Sequence, residues 1–335
     1  MKTLAVLLPT YNAVEYLKTA IDSVLNQTFS DFDLYVYDDC SLDKTQELVE
    51  SYADARVYYF RNPQNIGIAK TLNLGLQYLE DRYEFIARMD ADDWCFSERF
   101  EKQLEYLKTH TEIVMCGTQG YWSKDFSEIP ANPWKVPLES NEIKINLLFA
   151  ASFGHSSIMF RSKFIKQNTI RYDESIKTCE DWDLWCKIVE TSKIGNLDNF
   201  LMKYRILHDS NHRSPQNKDY HKRECSKVIS NHWKIFNQNI SSDEVFSYYY
   251  QENQQECELT MEGLNKLVFL FNDLYKQVSN CEGVDCRKLS YKFLRFIIGY
   301  RKRKQQRKFA LKQWVFLFKH IRFTSSMNIL KQLIQ

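Results

Sequence analysis

Acidic and polar side chains cluster at three points of the sequence, each directly after a short apolar run. The three segments are Pro9-Thr10-Tyr11-Asn12, Asp38-Asp39-Cys40-Ser41 and Asp90-Ala91-Asp92-Asp93. In an open α/β sheet, ligands bind beyond the carboxyl ends of the strands, so these segments would meet at one edge. A single Asp-Asp pair is more often a turn or a helix cap, but three such segments at one edge favour a binding site.

Carboxylates at this density repel one another unless a cation lies between them. Oxygen ligands of this kind suit Mg²⁺ or Mn²⁺, commonly together with a phosphate group. Asp90 and Asp92 would point the same way if the preceding strand continues through Ala91. No G-x-G-x-x-G segment or Walker lysine motif follows the first apolar run, so a diphosphate would be held mainly by the metal and side chains.

The elements that would position these residues alternate short apolar runs with amphipathic stretches up to about residue 117. This pattern predicts an α/β sheet with crossover helices. The predicted strands cover residues 3–8, 34–37, 57–60, 85–89, 113–117 and 157–160. Helices are predicted at residues 14–25, 72–79, 97–110 and 181–190. Ser97 is expected to cap the third of these helices, Asp43 and Gln46 resemble a capping box, and residues 120–137 are expected to be irregular.

The composition changes near residue 214, beyond which Gly and Pro are almost absent and long polar–apolar helices are predicted. We therefore predict an α/β domain at residues 1–214 and a helical C-terminal region at residues 215–335. The last part of this region has fourteen Lys and Arg residues between Arg287 and Lys331 and no Asp or Glu after Asp285. Such a basic tail favours an anionic partner, and a membrane surface is the partner that we predict. The alternative is a helical face that is solvated or packs on the protein.

The motifs, taken in order, resemble those of the family 2 glycosyltransferases. The resemblance covers about residues 1–213 and rests on Pro9-Thr10-Tyr11-Asn12, Asn26-Gln27-Thr28, Tyr37-Asp38-Asp39-Cys40-Ser41 with Asp43, Asn65-Ile66-Gly67, Leu72-Asn73-Leu74-Gly75, Ile86-Ala87-Arg88-Met89-Asp90-Ala91-Asp92-Asp93, Gly154-His155, Glu180-Asp181-Trp182, and Tyr204-Arg205 followed by His208. It implies a GT-A fold, which is a Rossmann-like nucleotide-diphospho-sugar transferase domain, here with a C-terminal helical extension.

The resemblance also implies roles for the residues at the first strand ends. Thr10, Tyr11 and Asn12 would flank the nucleobase of a nucleotide-sugar donor, and Asp39 would accept the imide hydrogen of that base. Asp90 would contact both the ribose and the metal.

A divalent metal, Mn²⁺ or Mg²⁺, would be held by Asp90 and Asp92 and would bridge the donor diphosphate. His208 matches a histidine that completes the metal site or holds the diphosphate in some family members. The spacing from Tyr204-Arg205 to His208 is one residue longer than the commonest form, which leaves His212 as an alternative.

Many family members have an Arg where this chain has Leu72. The cation near the phosphates would therefore come from Arg88 or Lys70.

The Glu180-Asp181 pair would lie on the acceptor side of the donor. Asp181 would be the general base on the acceptor hydroxyl, with Glu180 as the next candidate, and His155 and Trp182 would line the acceptor site. An inverting transfer needs a metal on the leaving diphosphate and a base on the attacking hydroxyl, so the two groups fit opposite roles.

A finer resemblance is to bacterial lipooligosaccharide N-acetylglucosaminyltransferases. It implies UDP-GlcNAc as donor and a glycan or glycolipid as acceptor, in lipooligosaccharide, O-antigen or capsule assembly. Two rival functions are a nucleotidyltransferase, which would not need Glu180-Asp181, and a non-catalytic glycan-binding or scaffold protein of the same fold. Nucleic-acid binding is not expected, because the motifs already account for a nucleotide ligand.

The start of the sequence has no long apolar stretch with a small-residue cleavage site, so no secretory signal is predicted. No apolar run approaches the ~20 residues that span a bilayer. These features predict a cytoplasmic protein, peripheral on the inner face of the membrane through its basic tail.

Overall fold

A computed structural model describes residues 2–124, 126, 132–206, 215–235, 241–243, 245, 269, 271–273 and 275–276. His208, His212 and the basic tail lie outside these residues. The chain divides into two units, one of Met1–Asn146 and Ala150–Lys218 and the other of Leu147–Phe149 and Asp219–Gln335.

The first unit contains a mixed sheet of nine strands. They are β1 (Lys2–Thr10), β2 (Phe32–Asp38), β3 (Val57–Arg61), β4 (Tyr83–Arg88), β5 (Trp94–Cys95), β6 (Ile113–Ser123), β7 (Pro133–Trp134), β8 (Met159–Arg161) and β9 (Lys193–Arg205). The order across the sheet is β3-β2-β1-β4-β8-β6-β9-β5, with β7 paired to β6.

Helices connect these strands. They are α1 (Val14–Leu25), α2 (Thr45–Glu50), α3 (Ile68–Leu79), α4 (Arg99–Thr109), α5 (Ser140–Asn146), α6 (Ser162–Gln167), α7 (Glu180–Thr191) and α8 (Pro215–Lys234), and a short 3-10 helix covers His155–Ser157. This alternation confirms the predicted α/β class.

Four neighbouring strands, β3, β2, β1 and β4, run parallel, so their carboxyl ends share one edge of the sheet. In the strand register, Thr10 pairs with Asp38, Asp38 with Arg61, and Leu7 with Arg88. Because parallel neighbours place corresponding ends side by side, the three polar segments of the sequence meet at this edge.

The core explains why β1 is central. Residues 4–10 of β1 are all buried, as expected for a parallel strand covered on both faces. Leu17, Ile21 and Val24 of α1 pack in the same core cluster as the apolar residues of β1 and β2. On α3, a Cβ at Gly75 would come within 2.3 Å of Leu7 Cδ1, so the absence of a side chain lets that helix approach β1 closely.

Several local expectations were wrong. Helix α4 has Glu98 as its N-cap and no side-chain cap bond, so Ser97 does not cap it. Asp43 does accept the Thr45 backbone N–H, but the Gln46 side chain bonds Glu50 instead of closing a capping box.

Two longer features also differ from the sequence expectations. Residues 120–137, expected to be irregular, contain the end of β6 and strand β7. The thirteen-residue strand β9 was not predicted, and it pairs in parallel with β6 through three local register shifts that short apolar-run patterns do not reveal.

In the second unit, the rings of Phe149 and Trp233 lie edge to face at 6.0 Å. Across the described part of the chain, no helix is both long enough and apolar enough to span a membrane.

Candidate active site

The loops that follow β1 and β2 are joined by backbone and side-chain hydrogen bonds. Asp39 N–H donates to the carbonyl oxygen of Thr10 at 2.9 Å. Asn12, in the left-handed region at φ 49°, donates its N–H to Ser41 Oγ and accepts the Leu42 N–H at its side-chain oxygen. The predicted nucleobase residue Asn12 therefore also fixes the distance between the two loops.

Asp39 is a buried carboxylate that holds the turn before α3. Its Oδ1 accepts hydrogen bonds from the Asn62 amide at 2.8 Å and from Ile66 N–H at 2.9 Å, and its Oδ2 accepts from Gly67 N–H at 2.8 Å. Gly67 has a φ of 87°, which a residue with a side chain adopts only with strain. Because each carboxylate oxygen can accept two hydrogen bonds, Oδ2 retains room for one further donor.

Thr10 and Tyr11 lie at this edge of the sheet, at and just after the end of β1. The hydroxyl of Thr10 is buried and has no hydrogen-bond partner within the described residues. Tyr11 is 47% exposed. A buried hydroxyl without a partner is costly, so a ligand group at this position would relieve the cost.

Asp38, which the sequence left without a role, is fully buried and structural. It accepts hydrogen bonds from Ser41 N–H at 2.8 Å and from the Tyr59 hydroxyl at 2.5 Å, and Arg61 lies 3.5 Å away. These contacts tie the loop after β2 to β3, so Asp38 supports the neighbouring Asp39.

The third polar segment forms a carboxylate cluster. One side-chain oxygen from each of Asp90, Asp92 and Asp93 lies within 4.8 Å of the other two. Strand β4 ends at Arg88, so the expected strand continuation through Ala91 does not occur and a turn brings the carboxylates together instead. Hard oxygen donors at this spacing fit a Mn²⁺ or Mg²⁺ ion.

The ionisation of the cluster shows what a cation would relieve. Burial and repulsion from Asp90 raise the pKa of Asp92 to about 6, and burial and repulsion from Asp92 raise the pKa of Asp93 well above its usual value. Burial opposes ionisation of Asp90 too, but the nearby Arg88 guanidinium outweighs it and lowers the pKa of Asp90. Three acids that cannot all ionise easily form a site suited to a divalent cation.

Arg88 is committed to this cluster. It is 3% exposed, it forms an ion pair with Asp90, and its guanidinium donates to Ser156 Oγ at 3.2 Å. Lys70, the other predicted phosphate-binding cation, is exposed in the first turn of α3, directly after the turn held by Asp39.

Arg205, at the end of β9, forms hydrogen bonds with two residues of the carboxylate cluster. Its backbone N–H donates to Asp93 Oδ1 at 2.9 Å, and its guanidinium donates to the carbonyl oxygen of Asp92 at 2.8 Å. The guanidinium carbon also lies 4.8 Å from the ring centre of Tyr16. Because β9 was not predicted from the sequence, this support was missed.

His155 is the first residue of the short helix that follows Gly154. Its Nε2 is 2.8 Å from the Tyr172 hydroxyl, and its ring meets Trp185 edge to face at 5.7 Å. Burial and the nearby positive charge of Arg88 keep the pKa of His155 well below its usual value, so the imidazole is neutral. Tyr172 is positioned by two backbone hydrogen bonds to the side chain of Asn73 on α3.

The Glu180-Asp181 pair opens helix α7. The preceding residue, Cys179, has a left-handed φ of 66°, which turns the chain sharply into the helix. Asp181 Oδ1 accepts the N–H of Trp182 at 2.7 Å. Trp182 itself is buried. Burial and repulsion from Asp181 raise the pKa of Glu180 to about 7.

Carboxylates from the strand-end cluster and from the start of α7 both raise the pKa of two tyrosines, Tyr172 and Tyr204. Burial is the largest cause of the raised pKa of Tyr172, and the charges of Asp181, Glu180 and Asp90 raise it further. Burial also raises the pKa of Tyr204, with further contributions from the strand-end cluster and from Asp181. The strand-end acids and the start of α7 therefore border one region.

A mixed sheet of this order, with polar residues gathered at the carboxyl ends of its parallel strands, has the GT-A architecture of sugar-transferring enzymes. Residues 5–167 match the family model described as "Glycosyl transferase family 2". The chain belongs to the family 2 glycosyltransferases.

Proteins with similar sequences are consistent with this membership. An uncharacterised glycosyltransferase of Methanocaldococcus jannaschii is 30% identical over 252 residues, which cover 73% of this chain and 85% of that protein. The chondroitin synthase of Pasteurella multocida is 30% identical over 251 residues, 74% of this chain but 24% of the synthase. The chain spans 65%, 64% and 63% of three other bacterial glycosyltransferase relatives.

Among solved structures, residues 1–349 of S. aureus TarS in complex with UDP-GlcNAc superpose with a TM-score of 0.59. The match covers 90% of each chain at 18% sequence identity. At this identity the likeness concerns the fold.

Proposed function

We propose that the protein is an inverting glycosyltransferase that moves a sugar from a UDP-sugar, UDP-GlcNAc first among the candidates, to a hydroxyl of a glycan acceptor. One observation carries the proposal: the strand-end acids and the start of α7 border one region, because the charges of Asp90 and Asp181 both raise the pKa of the buried Tyr172 and of the half-buried Tyr204. Acids on two sides of one region are what metal-assisted departure and base-assisted attack require.

The nucleobase would lie over the ends of β1 and β2. The free acceptor position on Asp39 Oδ2 suits the imide N–H of uracil, and the unpartnered Thr10 hydroxyl offers a second contact. The exposed ring of Tyr11 offers a stacking surface beside them, and Asn12 flanks the base while joining the two loops.

Asp90 and Asp92 would hold Mn²⁺ or Mg²⁺, and Asp90 would also contact the ribose. When bound, such an ion offsets the charge that develops on the leaving diphosphate. Lys70 would supply the second positive charge near the phosphates, because Arg88 is already buried against Asp90. His208, outside the described residues, stays a proposed partner of this site.

On the acceptor side, Asp181 would accept the proton of the attacking hydroxyl. The neighbouring Glu180, with a pKa of about 7, is partly protonated near neutral pH and is the weaker candidate for the base. The neutral His155, held by Tyr172, would orient the acceptor through hydrogen bonding, and Trp182 would help to shape the acceptor site from the start of α7.

We further propose that the acceptor is a growing surface glycan or glycolipid, in lipooligosaccharide, O-antigen or capsule assembly at the cytoplasmic membrane face. Relatives named as a chondroitin synthase and as TarS with UDP-GlcNAc support a glycan-building role. Residues 1–214 would carry the chemistry, and the basic tail within 215–335 would bind the anionic membrane surface.

The donor half is tested by calorimetric titration of the full chain with UDP and with CDP, each with and without Mn²⁺. We expect UDP to bind more tightly than CDP and the metal to strengthen UDP binding. Equal binding of the two nucleotides, or UDP binding that ignores Mn²⁺, would contradict the proposed donor site.

A further inference from the structure

The hydroxyl of Ser156 lies at the centre of the carboxylate cluster, although the sequence motifs assign it no role. Ser156 is 2% exposed in the short His155–Ser157 helix. Its Oγ accepts the N–H of Asp90 at 3.1 Å and a guanidinium N–H of Arg88 at 3.2 Å. The same oxygen lies 2.7 Å from Asp90 Oδ2 and also within hydrogen-bond distance of Asp93 Oδ2.

These contacts give Asp90 and Asp93 different roles. The Ser156 hydroxyl has one proton and donates to one oxygen at a time; because Asp90 Oδ2 already pairs with Arg88, donation to Asp93 Oδ2 leaves both carboxylates satisfied, and Asp93 Oδ1 accepts the Arg205 N–H. Asp90 is engaged at Oδ2 by Arg88, while its Oδ1 accepts no hydrogen bond within the described residues. Ser156 thus fixes the Asp90 backbone and the Arg88 side chain by accepting their N–H groups, and its own proton holds the Asp93 carboxylate in place.

A second set of buried side chains fixes the backbone around this hydroxyl. Arg99 is fully buried without a carboxylate partner among the described residues, and it donates to the carbonyl oxygens of Arg88 at 2.8 Å and Ile158 at 3.3 Å. Gln103, also fully buried, donates to the carbonyl oxygen of Ser157 at 2.8 Å. The strand end that leads to Asp90 and the turn that carries Ser156 are therefore held at a fixed separation.

We propose that Ser156 is a positioning residue that selects Asp90 and Asp92 as the metal ligands and keeps Asp93 from ligating. This inference rests on the proposed metal site. The physical reason is that groups that orient ligating carboxylates fix their geometry before the ion arrives, and their removal typically weakens metal affinity by about 10–100-fold.

Ser157 provides a matched control. It is as deeply buried as Ser156 in the same short helix, but its hydroxyl donates to the carbonyl oxygen of Gly154 at 2.7 Å and does not contact a carboxylate. Ser156→Ala and Ser157→Ala therefore remove the same atom from adjacent positions, and only the first change reaches the cluster.

The experiment measures Mn²⁺ affinity of the full chain by calorimetry and by the electron paramagnetic resonance of free Mn²⁺, with UDP present. Ser156→Ala should weaken Mn²⁺ binding by about 10-fold or more, with UDP affinity in the absence of metal within about 2-fold of the unaltered chain. Ser157→Ala should keep Mn²⁺ affinity within about 2-fold. Thermal unfolding checks that each variant is folded.

If Ser156→Ala does not fold, Ser156→Cys keeps the size of the side chain but offers only a weak donor, and it should lose Mn²⁺ affinity in the same direction. Unchanged Mn²⁺ affinity in the folded Ser156 variant, or an equal loss in Ser157→Ala, would overturn the inference alone. Failure of the unaltered chain to bind Mn²⁺ would overturn it together with the metal site.

Discussion

Replacing Asp39 with Asn should change both the support of the turn before α3 and the proposed recognition of a nucleobase. Three donors converge on this carboxylate, from Asn62, Ile66 and Gly67. An amide has one acceptor oxygen and an NH₂ group, so at least one of these donors would face another donor whichever way the amide is turned. The new NH₂ group also cannot accept the imide hydrogen of uracil.

The expected loss of stability follows from these contacts. In the more favourable orientation the amide oxygen keeps the bonds from Asn62 and Ile66, and the Gly67 bond is lost. Losing a buried bond to a charged acceptor costs about 1.5–3 kcal/mol, and replacing the charged acceptor by a neutral one for the other two adds about 1 kcal/mol. Asp39→Asn should therefore lower the free energy of unfolding by about 3 kcal/mol.

Urea unfolding and calorimetric titration with UDP and CDP measure the two effects on one preparation. UDP affinity should fall by about 10-fold or more, and the preference for UDP over CDP should shrink, because the amide can donate to the ring nitrogen of cytosine. Asp31→Asn, at an exposed residue that bonds the Thr3 hydroxyl, is the control. Stability and nucleotide preference matching this control would refute the assigned role of Asp39.

Three further outcomes follow from the site. Asp181→Asn should retain UDP affinity but lose about 10²–10⁴-fold in single-turnover transfer; a comparable rate would move the base to Glu180. Asp92→Ala should abolish the strengthening of UDP binding by Mn²⁺. Calorimetric titrations that give the same UDP affinity in the presence of Mn²⁺ for the variant and the unaltered chain would contradict this. Since burial and Asp181 raise the pKa of Glu180 from 4.5 to about 7, the folded state holds more protons than the unfolded state between these values, and stability falls as pH rises through them. Glu180→Gln should remove this loss and gain about 3 kcal/mol over the unaltered chain above neutral pH but little below about pH 4, as urea unfolding at the two pH values would show; a gain independent of pH would contradict it.

Much of the parallel half of the sheet follows from the sequence because its signals are local. Strands β1 to β4 lie within a few residues of the predicted ranges, since each is a short run of apolar residues bounded by turns. Pairing of these strands in parallel then brings Thr10, Asp39 and Asp90 to one edge without further information.

The partners of these residues were harder to predict because they come from distant parts of the chain. Ser156 reaches Asp90 across 66 positions, and Arg205 reaches Asp93 across 112. Ser156 belongs to none of the motifs, and Arg205 lies in the Tyr204-Arg205 motif without an assigned role. The strand that carries Arg205 also includes register shifts that blur its pattern. The ion pair of Arg88 with Asp90 likewise depends on packing, and of the two predicted phosphate-binding cations it leaves Lys70 exposed.

The measurement that tests the central claim most directly is the anomeric form of the sugar first released from the donor. The full chain with Mn²⁺ would be incubated with UDP-GlcNAc, UDP-GalNAc, UDP-glucose and UDP-galactose, and slow donor hydrolysis followed by proton NMR, with Asp181→Asn as the control. These donors carry the sugar in the α configuration, so an inverting enzyme must release the β anomer before mutarotation. We predict that at least one donor yields the β anomer first and that Asp181→Asn suppresses its release. Release of the α anomer first, or no turnover of any of the four donors, would contradict the account.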